Sequence, residues 1–268
     1  MSTFRPVLVP EANRGAVALV TGGGTGVGRA TALELGRTGA KVAICGRRPE
    51  PLERTCQELA ATGVDCLSIP TDIRDEEQAA SLVTQVIDRF GKIDILINNA
   101  GGQFQAPVEA ISPKCWRAVH SLAVDAAWRM TWLVATHSMI PNRQGVVVFV
   151  GLSPRRGMPG FAHAAAARAA VENLAGSLAL EWSKFNIRSV CVALGAVDTA
   201  AGENYPEEQR LKFLDSIPMR RRASPEEIAS VLAFLASPGA SFITGTTVVV
   251  DGGMDAWGFG WPTPPISP

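Results

Sequence analysis

Five glycines, Gly22, Gly23, Gly24, Gly26 and Gly28, share a short run with Thr25 and Val27, directly after the apolar segment Val17-Ala18-Leu19-Val20. No group in this run reacts. Its chemistry is to bring backbone N–H groups close to an anion, because glycine turns sharply and carries no Cβ. A helical pattern starts at Gly26, and a helix N-terminus adds unpaired N–H donors and partial positive charge. Between a strand and a helix such a turn is a pyrophosphate cradle; without the strand it would read as a flexible loop. Gly22, Gly24, Thr25, Gly26, Val27 and Gly28 are therefore candidate cofactor contacts. A second group follows the next apolar run, which ends Ile44-Cys45-Gly46-Arg47-Arg48. An acid at this point would bind both ribose hydroxyls of NAD. None is present, and a guanidinium suits a 2′-phosphate by charge and forked geometry. Arg47 and Arg48 thus point to NADP(H).

These groups need a scaffold. β-Branched apolar runs at 17–21, 41–45, 66–70, 94–98, 146–150, 188–194 and 246–250 alternate with helical patterns at 26–37, 51–62, 76–90, 113–139, 162–185 and 225–236. Such alternation predicts βαβ units and a Rossmann-type, doubly wound parallel α/β sheet in a single domain. Ser112-Pro113 and Ser224-Pro225 each place an N-cap before a first-turn proline, and Glu227 completes a capping box with Ser224. The expected domain is 15–254, with a substrate loop at about 198–222. Residues 1–14 form an N-terminal extension, and 255–268 a tail rich in Trp, Pro and Gly.

The 268 residues hold 25 Lys+Arg and 25 Asp+Glu, so the formal net charge is zero. A nucleic-acid partner would need a basic surplus, and no apolar run is long enough to span a membrane. The five cysteines are scattered, without metal-ligand spacing. No metal site and no disulfide framework are expected, and a reducing cytoplasm fits.

Four motifs in order now carry a family resemblance: the Gly22–Gly28 turn, Asp72 after the third strand, Asn98-Asn99-Ala100-Gly101 after the fourth, and Ile243-Thr244-Gly245 with Val250-Asp251-Gly252-Gly253 near the end. The chain resembles the short-chain dehydrogenase/reductase family from Gly15 to Met254. The resemblance implies a seven-stranded sheet, a homo-oligomer (most often a tetramer), Asp72 and Ile73 at the adenine, and Asn99, Ala100 and Gly101 on the ribose side. It also implies Gly195, Val197 and Thr199 against the nicotinamide, although Ala193-Leu194-Gly195 departs from the family's Ala-Pro-Gly. The stretches Asn99–Pro107, Ala164–Val171, Ser177–Trp182 and Pro238–Gly245 are similar to the 2-enoyl-CoA and 2,4-dienoyl-CoA reductase branch. That branch reduces a double bond conjugated to a thioester and implies an acyl-CoA as the small-molecule substrate.

The family's catalytic set is Asn, Ser, Tyr and Lys. Here the Lys position is Arg168, the Tyr position four residues earlier is Ala164, and the Asn position is Ala123. The serine falls near Gly151 or Leu152, with Ser153 just beyond. The one tyrosine, Tyr205, lies in the expected substrate loop. Arg168 can clamp a ribose but cannot readily give up a proton. By the pattern of the branch, Asp125 is the candidate proton donor, if burial raises its pKa, and Ser153 the group that orients the substrate. His163 beside the Tyr position is either a second donor or a core residue. Two readings stay open: an NADP(H)-dependent reductase acting on an enoyl thioester, or a cofactor-binding protein that has lost its chemistry.

Overall fold

The apolar runs become strands of a parallel sheet with helices on either side, and the central ones are buried along almost their whole length. A computed structural model describes residues 5–153, 155–200 and 213–257. The tail from 258, Tyr205 and residues 201–212 of the expected substrate loop lie outside the described residues. Among those described, β1 (Val17–Thr21), β2 (Lys41–Gly46), β3 (Cys66–Pro70), β4 (Ile95–Asn98), β5 (Gly145–Leu152), β6 (Ile187–Leu194) and β7 (Thr247–Val250) form one parallel sheet. Its order is β3-β2-β1-β4-β5-β6-β7. The order reverses between β1 and β4, and the crevice outside the carboxyl ends of these two strands is where such sheets bind ligands.

Helices α1 (Gly26–Arg37), α2 (Pro49–Ala61) and α3 (Glu76–Phe90) come after the first three strands. Alternate side chains sort the core into two layers. Leu19, Leu96, Val147 and Phe149 face α3 and the later long helices. Ala18, Val20, Ile97 and Val148 face α1, α2 and a helix near the C-terminus.

One long helix was expected over 113–139. The chain forms α4 (Pro113–His120), α5 (Ala126–Val134) and α6 (Ile140–Asn142), joined by π-helical turns at Ser121–Asp125 and Ala135–Met139. A π turn inserts a residue into the helical period and rotates the helix beyond it, which changes the faces that Ala123 and Asp125 present. Next come α7 (Ala162–Trp182), α8 (Pro225–Ala236) and α9 (Met254–Trp257). Both expected caps are present. Ser112 accepts from the Cys115 N–H at 3.2 Å. Ser224 accepts from the Glu227 N–H at 3.3 Å, while the Glu227 carboxylate accepts from the Ser224 N–H at 2.8 Å.

The cysteine expectation needs one correction. Cys56 on α2 and Cys66 at the start of β3 form a disulfide, with their Cα atoms 5.5 Å apart. The tight turn from α2 into β3 folds these two residues onto each other; Cys45, Cys115 and Cys191 are free. Among the described residues no helix is long and apolar enough to cross a membrane, and no group of three or more His, Cys, Asp or Glu could hold a metal ion.

Candidate active site

The glycine turn joins β1 to α1 at the crevice. Gly22 and Gly26 adopt positive φ of 68° and 52°, where a side chain is strained. Gly23 and Gly24 are pressed against the second βα unit: a Cβ on Gly23 would lie 2.6 Å from Ile44 Cγ2, and one on Gly24 3.0 Å from Pro51 Cβ. A Cβ on Gly28 would collide with the Gly22 carbonyl and lie 2.5 Å from Asn99 Nδ2. The turn therefore keeps its N–H surface bare only because these residues are glycine.

Asn99 locks this turn to the β4 loop. Its amide donates to the Thr21 carbonyl at 2.9 Å, and the N–H groups of Asn99 and Ala100 both donate to Thr21 Oγ1 at 3.0 Å. Thr21, unremarked in the sequence, is thus the pin between the two loops. Thr199 also comes here, its Cγ2 3.3 Å from where a Gly26 Cβ would sit. Its loop is fixed by a bridge from Val197 to Ala223 and by the Asp198 N–H donating to the Ala223 carbonyl at 2.8 Å. Gly195 packs on Asp251, and its N–H donates to the Val250 carbonyl at 3.0 Å, so the strand pairing holds with Leu194 in place of proline.

In the loop after β3 Ile73 is buried and Asp72 half-buried. Arg74 Nε donates to Asp72 at 2.9 Å. This hydrogen bond, opposed by burial and aided by the charges of Arg74 and Arg47, holds the carboxyl at about 2. Arg129 on α5, which sequence reasoning missed, donates to the carbonyls of Ile73 and Arg74 at 3.2 and 3.0 Å and steadies the loop. Only tertiary packing brings residue 129 here, so no local pattern announces it. Arg47 and Arg48 are exposed at the end of β2, and among the described residues neither is in an ion pair, while Arg47 acts on Asp72 by charge.

Of the expected catalytic residues only Arg168 reaches the crevice. Its Nη1 donates to the Val150 carbonyl at 2.6 Å, and its Nη2 occupies the space that a Cβ on Gly101 would need. Burial pushes its pKa down from the usual arginine value, but a guanidinium stays charged at neutral pH. Ser153 is buried, and its hydroxyl is given to the Asp251 carboxylate, which also caps α9 through the N–H groups of Gly253, Met254 and Asp255. It is committed to holding β5 to the end of β7. Asp125 is exposed and lines a hollow with Glu76, Ala80, Trp128, Arg129, Trp132 and Leu133, on the α3 side of α5. The structure does not bring it to Arg168. Ala123, two positions earlier, is the residue turned inward, packed with Val119 and Ala167.

The remaining positions of the family's catalytic set are also small. Ala164 is 2% exposed. Gly151 is the next-to-last residue of β5 and packs on Cys191, whose Sγ would lie 2.8 Å from a Cβ placed there. The site thus keeps a cofactor cradle around Thr21, Asn99 and Arg168 and, among the described residues, holds no phenol or amine to exchange a proton.

A family model described as enoyl-(acyl carrier protein) reductase matches residues 22–255. The chain is a short-chain dehydrogenase/reductase of that family. A Bacillus subtilis protein described as a probable 2,4-dienoyl-CoA reductase is 33% identical over 241 residues, covering 88% of this chain and 95% of that protein. The peroxisomal 2,4-dienoyl-CoA reductase of Saccharomyces cerevisiae is 34% identical over 256 residues, covering 91% and 86%. Among solved structures, a protein of Beutenbergia cavernae described as an NAD(P)-dependent gluconate 5-dehydrogenase, with bound NADP at low occupancy, superimposes with a TM-score of 0.86. It shares 33% identity, with 92% of this chain and all of that one covered. This short-chain dehydrogenase/reductase is accordingly an oxidoreductase with a nicotinamide cofactor site.

Proposed function

We propose that this short-chain dehydrogenase/reductase reduces an enoyl thioester, with an acyl-CoA as substrate and NADPH as cofactor. One observation carries the reading: the cofactor cradle is complete, while the position of the family's proton donor is the buried Ala164. The residues fit the cofactor. Gly22, Gly26 and Gly28 leave the room a pyrophosphate needs, and Arg47 and Arg48, outside any ion pair among the described residues, stand at the place of a 2′-phosphate. Arg168, held against Gly101 and the Val150 carbonyl, is placed to clamp a ribose.

When bound, NADPH supplies hydride. Ketone reduction also needs a proton delivered to oxygen, a contribution of roughly 10²–10⁴ in rate that Ala164 cannot make. In a conjugated thioester, hydride adds to carbon and negative charge gathers on the carbonyl oxygen, which hydrogen-bond donors can stabilise. The enolate then takes its proton on carbon from water. The dienoyl-CoA reductases among the relatives favour the same substrate class.

The reading includes assembly as a homo-oligomer, most simply a tetramer. Trp128 and Trp132 are 43% and 47% exposed on α5, and Leu180 on α7 and Phe242 ahead of β7 are bare. The test is NADPH oxidation with a panel of 2-enoyl-CoA and 2,4-dienoyl-CoA thioesters and simple ketones. Turnover of thioesters without turnover of ketones is expected. Fast ketone reduction, or no turnover of any thioester, overturns the proposal.

A further inference from the structure

His163 on α7 is an ionisable side chain that this chemistry leaves unused. It is 0% exposed, and neither ring nitrogen has a hydrogen-bond partner among the described residues. Buried polar atoms are nearly always paired, so a doubly orphaned imidazole calls for a physical account. The ring stacks under Phe104, with centroids 4.3 Å apart and planes 30° from parallel. Phe104 is on the loop after β4. The Ala106 N–H donates to the Gly160 carbonyl at 2.9 Å, and the Gln105 side chain lies over Gly160, so the loop closes onto the start of α7.

His163 is on α7 among the positions of the family's catalytic set. Ala164 follows it directly, and Ala167, one turn on, packs with Ala123 of the first π turn. Ala164 and Ala123 stand where the family carries its tyrosine and asparagine, so both side chains that would fill hydrogen-bonding roles here are missing. His120 on α4 faces the ring by charge, and with burial it pushes the imidazole pKa down, leaving the ring neutral near pH 7. A neutral imidazole keeps one N–H donor and one acceptor.

Resting on the enoyl-thioester reading above, we propose that His163 is a catalytic residue: Phe104 moves aside as the acyl group enters, and the imidazole N–H donates to the thioester carbonyl oxygen. No covalent step occurs at the ring. It holds the oxygen on which negative charge gathers as hydride reaches the carbon chain, and the proton that completes the reaction still comes from water. Donors aimed at such an oxygen are worth about 10²–10³ in rate when removed singly.

The test uses the full chain with oxidised NADP and a 2,4-dienoyl-CoA, whose absorbance moves to longer wavelength when its carbonyl is polarised. Native protein is expected to produce this shift. His163→Leu should lose it and lose about 10²-fold in kcat, with KM and NADPH affinity changing by less than about threefold. His163→Gln, which keeps an N–H donor, should recover part of both, and it decides alone if the leucine variant does not fold. Thioester turnover and a shift both unchanged in His163→Leu would sink the histidine proposal while sparing the function. A shift lost in His163→Leu with no native turnover would sustain the role of the ring and sink the reductase reading. A native protein that binds no thioester overturns both.

Discussion

Gly28→Ala tests the cofactor cradle at its narrowest point. The added methyl would lie 2.5 Å from Asn99 Nδ2 and closer still to the Gly22 carbonyl. Contacts under 3.0 Å are essentially never seen at a Cβ, so both partners must give way, Asn99 Nδ2 by about 0.5 Å and the Gly22 carbonyl by about 0.8 Å. Neither is free to do so. The Asn99 amide is bonded to the Thr21 carbonyl at 2.9 Å, and Gly22 is the left-handed residue on which the turn depends. Overpacking of this kind costs about 1–3 kcal/mol. If the turn yields, its N–H groups leave the binding geometry and the cost appears as affinity, about 5- to 150-fold in the Kd for NADPH. If the turn resists, the cost appears in stability, at about 2–4 °C of Tm per kcal/mol for a chain of this size. Calorimetric titration with NADPH and thermal unfolding of the same sample read both parts. A variant whose Kd stays within about twofold of native, with an unchanged Tm, would refute the assignment of this turn as the pyrophosphate cradle.

The other predictions rest on charge and placement. Arg47→Ala should weaken NADPH binding by about tenfold while barely changing NADH, as a lost charge-assisted phosphate contact implies; equal affinity of the native chain for the two cofactors would contradict it. Asp72 has a depressed pKa in the fold. Its contribution to stability is therefore complete above the ordinary carboxylate value of 3.8 and lost as pH falls toward about 2. In Arg74→Ala the Asp72 carboxyl, followed by NMR, should titrate closer to 3.8; an unmoved midpoint would show that Arg74 is not the cause. Burial lowers the His163 pKa, so stability should be full above about pH 6.5 and decline below it, and His163→Leu should flatten that decline. Asp125→Ala should leave thioester turnover unchanged because the carboxylate is outside the cleft; a tenfold loss would restore it as a proton donor. Sedimentation should find an oligomer at micromolar concentration, and Trp128→Glu with Trp132→Glu should shift it toward smaller species; a native monomer refutes the assembly.

What sequence could determine was local or periodic. The strand–glycine–helix run declares its chemistry within a few residues, because only glycine permits those φ values and that closeness to Ile44 and Pro51. Alternation of apolar runs with helical patterns sets the parallel sheet, and Ser224 with Glu227 marks a helix start, since each rests on neighbours in the chain. Positions lost from the catalytic set, such as Ala164 and Arg168, were legible from spacing within one helix. What depends on the phase of a long helix, or on elements distant in the chain, was decided by tertiary structure. The π turn at Ser121–Asp125 turns Ala123 inward and leaves Asp125 outside, a rotation that an uninterrupted 3.6-residue period does not describe. Ser153 is claimed by Asp251, 98 residues away, and Arg129 on α5 steadies the loop after β3. Cys56 and Cys66 meet only because α2 turns back along β3. Phe104 covers His163 only because the loop after β4 closes on the start of α7. Backbone conformation is written in short stretches of sequence, but the partner of a buried polar group is chosen by which surfaces the whole chain can bury together.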